Sequence, residues 1–133
     1  MAQTTPTDRP TRHVWRWFLV AGYMAAIFAV SGGPGPNLPP GLGLDKVLHA
    51  GAYAAMAGLV VWAMTRGRLR DATGRALLAG VILAVAYGAT DELHQAFVPG
   101  RQSDVFDLAA DAIGALAAAG AIRAWGIIAR GSK

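Results

Sequence analysis

The sequence predicts an all-α protein, a four-transmembrane-helix bundle with both termini in the cytoplasm, on three observations. Apolar residues make up 54% of the 133-residue chain and charged residues only 15%, well under the roughly 25% usual in soluble domains. The apolar residues gather into four segments, each close to the roughly 20 residues that cross a hydrocarbon core of about 30 Å as a helix. None of the segments alternates with period two, and only helices or closed barrels satisfy every backbone hydrogen bond in lipid, so the spans are read as helices.

The elements follow in order. Residues 1–13 are polar and contain proline, and are expected to be a disordered cytoplasmic tail ahead of one membrane domain over residues 14–130. The first helix covers residues 14–31, with Trp15 and Trp17 as interfacial anchors at its start. The stretch AVSGG at 29–33 loosely resembles a signal-peptide cleavage site, but the apolar run before it is long for a signal sequence, and an uncleaved helix is expected. Residues 32–43, GGPGPNLPPGLG, are too rich in Gly and Pro for a helix and make an interfacial loop. The second helix covers 44–65, and RGRLRDATGR at 66–75 is a short basic loop. The third helix, 76–96, opens with fifteen uncharged residues, ALLAGVILAVAYGAT. VPGRQS at 98–103 is a tight turn in which Phe97 and Val98 dip into the interface, and the fourth helix covers 105–129, with Trp125 anchoring its end.

Charge sets the orientation. Every basic residue except Lys46 and Arg101 falls before or at the start of the first helix, in the 66–75 loop or toward the chain end. Even-numbered crossings bring all of these to one side, which the positive-inside rule makes the cytoplasm. A sequence pI near 10.1 therefore reflects membrane topology and not a nucleic-acid surface, and no nucleic-acid partner is expected. The chain has no cysteine, which excludes disulfides, zinc thiolate clusters and cysteine nucleophiles. Small residues four apart (Ala50, Ala54 and Gly58; Gly80, Ala84 and Gly88; Ala110, Gly114 and Ala118) predict close helix packing on three helices.

Six of the eight acidic residues gather at the opposite end, all but Asp8 and Asp71: Asp45, Asp91, Glu92, Asp104, Asp107 and Asp111, with Lys46, His49, His94 and Arg101. Asp45, His49 and Tyr53 are four apart on the second helix, as are Tyr87, Asp91 and Gln95 on the third, and Asp104, Asp107 and Asp111 share a face of the fourth. Three polar stripes thus begin at one membrane level. A carboxylate at the bilayer centre costs at least about 2.5 kcal/mol, so the deepest, Asp111, is expected to point inward to a cation, hydrogen-bond donors or a proton. Arg101, just after Pro99-Gly100, offers a bidentate fork to an acid or to a ligand phosphate or carboxylate. His94 lies off the Asp91–Gln95 face, where it meets lipid headgroups, and ranks below His49.

These residues carry a resemblance. DKVLHAGAY (45–53) followed by DELHQAFVPGRQSDVFDLAADAIG (91–114) resembles the two signature blocks of the VanZ-like family of small bacterial membrane proteins, over about residues 44–120. The combined pattern is D-K-x-x-H-x-x-x-Y, then D-E-x-x-Q-x-F-x-P-G-R, with Asp111 standing where the family usually carries Asn. The resemblance implies a multi-helix protein of the bacterial cytoplasmic membrane, associated with resistance to glycopeptide antibiotics such as the lipid-tailed teicoplanin. It points to Asp45, Lys46, His49, Tyr53, Asp91, Glu92, Gln95, Pro99, Gly100, Arg101 and Asp107.

The expected function is recognition, extending to chemical processing, of an anionic lipid or lipid-linked cell-envelope molecule from the outer leaflet. His49, Asp91, Glu92 and Asp107 are the candidate acid–base residues, and Asp45, Lys46, Tyr53, Gln95, Arg101, Asp104 and Asp111 the candidate ligand-binding residues. No Ser nucleophile motif or Gly-rich phosphate loop occurs. No cofactor is expected; a divalent metal on His49 with Glu92, His94 or an Asp of the fourth helix is a lesser reading, because no H-E-x-x-H spacing is present. The competing expectations are a structural salt-bridge network in a scaffold that docks a membrane partner protein, and a small proton-coupled transporter that forms a homo-oligomer.

Overall fold

The computed structural model describes residues 13–34, 43–101 and 103–132. Among them are four α-helices and no strand: α1 (Trp15–Ser31), α2 (Leu44–Met64), α3 (Gly74–Gln95) and α4 (Val105–Gly131), with a short 3-10 turn at Leu69–Asp71 between α2 and α3. Residues 1–12 of the expected tail, most of the 32–43 loop, and Gln102 lie outside the described residues; His13 forms a turn leading into α1, and its Nδ1 lies 2.7 Å from the Arg16 guanidinium.

Helices α2, α3 and α4 are each long and apolar enough to cross a membrane, while α1 is shorter at 17 residues, or about 26 Å of rise. Large apolar side chains stand exposed around the outside, among them Phe18, Val30, Val47, Leu93, Val105 and Ile128, as a lipid-facing surface requires. Side-chain caps fix where two of the helices start, and one start differs from the sequence reading. Helix α3 starts two residues earlier because the Thr73 hydroxyl accepts a hydrogen bond from the Ala76 N–H at 3.2 Å and caps it there. Asp104 caps α4 in the same way, accepting from the Phe106 N–H at 2.8 Å.

Helix α2 packs against the other three, most extensively against α4. Its buried face is Tyr53, Met56, Ala57, Val60 and Val61. The small-residue stripes are borne out on α3, where Gly80, Ala84 and Gly88 are all buried, and on α4 at Ala110 and Gly114. A methyl group added at Gly114 would overlap the Ala50 carbonyl, and one added at Gly80 would meet the Ala57 carbonyl at 2.9 Å, so bare backbone is what lets α2 approach both neighbours. The α2 stripe departs from expectation at Gly58, where a Cβ would meet nothing within 4 Å. Helix α1 lies against α2 and α3, with the Tyr23 hydroxyl donating to the Ala52 carbonyl at 3.0 Å and the Tyr87 hydroxyl to the Met24 carbonyl at 2.6 Å.

The bundle has two chemically different ends. At one, the Arg16 guanidinium sits 5.0 Å from the Trp15 ring centroid and 5.2 Å from that of Trp62, and the Arg70 carbonyl lies against Gly126 of α4. Arg16 and the basic 66–75 segment therefore share that end with the latter part of α4, and Asp45, Asp91, Glu92, Asp104, Asp107 and Asp111 occupy the other.

Candidate functional site

The acidic end is assembled from the last residues of α1 and α3, the first two turns of α2 and α4, and the turn before α4. Three sets of contacts organise it. The first centres on Lys46 of α2, whose ammonium group contacts Asp104 Oδ2 and Asp107 Oδ1 at 2.6 Å each and Asp45 Oδ2 at 3.1 Å. Outside the spans, this contact with the Lys46 ammonium holds the Asp104 carboxyl below the usual carboxylate range. The expected role of Lys46 as a ligand-binding cation is weakened, because three carboxylates already surround it.

The second set runs across α1, α3 and the following turn. The Ser31 hydroxyl at the end of α1 donates to Asp91 Oδ1, and the Gln95 amide donates to Asp91 Oδ2 at 3.1 Å. Gln95 Oε1 in turn accepts from the Arg101 guanidinium at 2.9 Å. Asp91 and Gln95 are buried, and their i, i+4 spacing explains why one bonds the other. The turn that carries Arg101 passes through Gly100 at φ +81°, a left-handed conformation that glycine adopts without penalty. Arg101 makes no ion pair among the described residues.

The third set lies between these two. His49 Nδ1 is 3.0 Å from Asp111 Oδ1, and its Nε2 is 3.7 Å from Asp107 Oδ2. Asp111 is fully buried, with Oδ2 seated against the bare Cα of Gly88 and without a hydrogen-bond partner among the described residues. Glu92 is buried as well; its Oε2 accepts from the Asp104 N–H at 2.8 Å, while Oε1 has no partner among the described residues. The Tyr53 ring lies nearly parallel to that of His49, with centroids 6.3 Å apart. One oxygen or nitrogen from each of His49, Glu92 and Asp107 falls within 4.8 Å of the others, close enough to hold a metal ion.

A cavity of about 770 Å³ opens beside these groups, between α1 and α2. Ala26, Ile27 and Val30 of α1 and Leu48 and Ala52 of α2 give it apolar walls, and Ser31, Asp45, His49, Asp91, Gln95, Arg101 and Asp107 give it a polar end.

A model of the VanZ/LLP1 family matches residues 7–128. The chain belongs to this family. No curated protein and no solved structure matches it. The match covers nearly the whole chain, including every residue described above at the acidic end of the bundle.

All of the sequence-predicted site residues are brought to one end of the bundle, although they divide among the three sets. His94 lies outside these three sets. It stacks on Phe28 of α1, with ring centroids 4.1 Å apart. Sequence reasoning missed Ser31 and Tyr23. The signal was present, since Tyr23, Ile27 and Ser31 are four apart and form a fourth stripe ending at the same membrane level.

Proposed function

We propose that this VanZ/LLP1 protein binds an anionic lipid, or a lipid-linked cell-envelope molecule, in the cavity between α1 and α2, from the outer side of the bacterial cytoplasmic membrane. The observation that carries the reading is the two-part character of the cavity: apolar walls along the helices, and at one end an Arg101 guanidinium positioned by Gln95 and free of carboxylates among the described residues. An acyl chain suits the walls, and a phosphate or carboxylate headgroup suits the guanidinium fork. The absence of basic residues other than Lys46 and Arg101 from the sequence segments that form this end supports an outward-facing pocket through the positive-inside rule. The link to glycopeptide-antibiotic resistance that the family resemblance implies is compatible with a cell-envelope ligand.

A structural network is favoured for one part of the cluster. The Lys46 contacts with Asp104 and Asp107 tie α2 to α4 and leave the cation little capacity for a ligand.

Mass spectrometry of lipids retained by the purified protein tests the binding reading. The wild type is expected to retain an anionic lipid that Arg101→Ala loses by about tenfold or more, as removal of a charge-assisted contact worth roughly 1.5–3 kcal/mol implies. Equal retention by a folded Arg101→Ala variant would sink the assignment.

A further inference from the structure

We propose that His49, Glu92 and Asp107 form a binding site for one divalent cation of the zinc or manganese class. The proposal goes beyond lipid recognition and does not depend on it.

Four observations carry the site. Ligand atoms from the three residues, which come from three different helices, lie within 4.8 Å of one another. Asp107 is split between two tasks: Oδ1 contacts Lys46 at 2.6 Å, while Oδ2 faces His49 Nε2 at 3.7 Å. That separation is too long for a hydrogen bond, yet near the roughly 3.4 Å between two ligands on a tetrahedral ion with bonds of about 2.0–2.1 Å. Glu92 is only 6% exposed, with Oε1 buried and without a partner among the described residues. A buried carboxylate oxygen without a partner calls for a cation or a proton.

Asp111 supplies the fourth observation. It is 0% exposed and lies 3.0 Å from His49 Nδ1. With the ring proton on Nδ1, His49 donates to Asp111 and leaves the Nε2 lone pair facing Asp107. A metal-bound histidine whose other nitrogen donates to a carboxylate is the usual second layer of such sites.

Charge balance points the same way. The carboxylates of Asp45, Asp91, Glu92, Asp104, Asp107 and Asp111 face only two permanent cations among the described residues, Lys46 and Arg101. One nitrogen and two carboxylates, in a chain without cysteine, suit zinc or manganese and disfavour a thiophilic ion. Three protein ligands leave a coordination position open. His49 and Asp107 also line the cavity, so this position lies near whatever occupies it.

The test uses the full chain purified in detergent, stripped with EDTA and equilibrated with micromolar zinc chloride or manganese chloride. Elemental analysis is expected to find about one ion per wild-type chain, with Tm raised by the ion and lowered again by EDTA. Glu92→Gln and His49→Gln are expected to lose occupancy at least about tenfold, and Asp111→Asn to weaken affinity about 10–100-fold as a positioning residue. A monodisperse wild-type protein that takes up neither ion overturns the proposal without reference to any variant. Equal occupancy in the wild type and the folded Glu92→Gln variant overturns it too, by assigning the ion to another place.

Discussion

Lys46 and Arg101 show how two cations at one end of the bundle take different roles. Lys46 is enclosed by Asp45, Asp104 and Asp107, whereas Arg101 is held by the neutral amide of Gln95 and keeps its charge available. Lys46→Met leaves Asp107, only 8% exposed, without its cation. Breaking a buried pair costs about 3–5 kcal/mol, and because a third of the Lys46 side chain is exposed, a loss of about 1–3 kcal/mol is expected after screening. Thermal unfolding in detergent measures it, and an unchanged Tm would contradict the network. The Asp104 contact has a definite pH sense. Its carboxyl is lowered in the folded protein, so its stabilising contribution is present above the ordinary Asp value of about 3.9 and is lost as pH falls through the lowered value.

At the scale of the helix, backbone proximity decides which glycines matter. Gly114 of α4 and Gly58 of α2 are alike in sequence, each in a stripe of small residues four apart. Gly114 rests on the Ala50 carbonyl and Gly58 faces open space. Gly114→Ala is therefore expected to push α2 and α4 apart at a cost of about 1–3 kcal/mol. Gly58→Ala is expected to be neutral or to stabilise α2 by up to about 1 kcal/mol through helix propensity. Tm values of the two variants in one detergent check the contrast, and equal effects would mean that the α2–α4 approach is looser than described. Because Gly114 lies one turn beyond Ala110 and Asp111, separation of these helices would also pull Asp111 from His49, a loss of geometry that the Gly58 change does not cause.

The whole molecule is polarised along its axis, with arginines at one end and the acidic cluster, cavity and Arg101 at the other. Because the chain has no native cysteine, single cysteines report topology without background. In intact cells an impermeant thiol reagent is expected to label Pro99→Cys and spare Arg68→Cys, which reacts only after the membrane is opened. The reverse pattern would place the cavity toward the cytosol and remove the basis for an outer-leaflet ligand. Helix α1 is the element whose position counts most here. It is the shortest of the four, and it supplies one wall of the cavity together with Ser31, which holds Asp91.

Much of this arrangement was legible from composition and spacing. Lipid leaves a chain few solutions for its backbone, so four apolar segments meant four helices, and the placement of arginines gave their alternation. The i, i+4 stripes on α2, α3 and α4 named the polar residues, since helical periodicity alone puts them on common faces and burial in lipid forces those faces inward. Pairing was decided only in three dimensions. That Lys46 is consumed by Asp104 and Asp107 while Arg101 is left to the cavity, that His94 stacks on Phe28, and that Ser31 joins the cluster depend on how far each helix is rotated and shifted against its neighbours. Those rotations come from side-chain packing summed over every contact, such as Gly114 on Ala50 and Gly80 on Ala57, and no local pattern in the sequence encodes that sum.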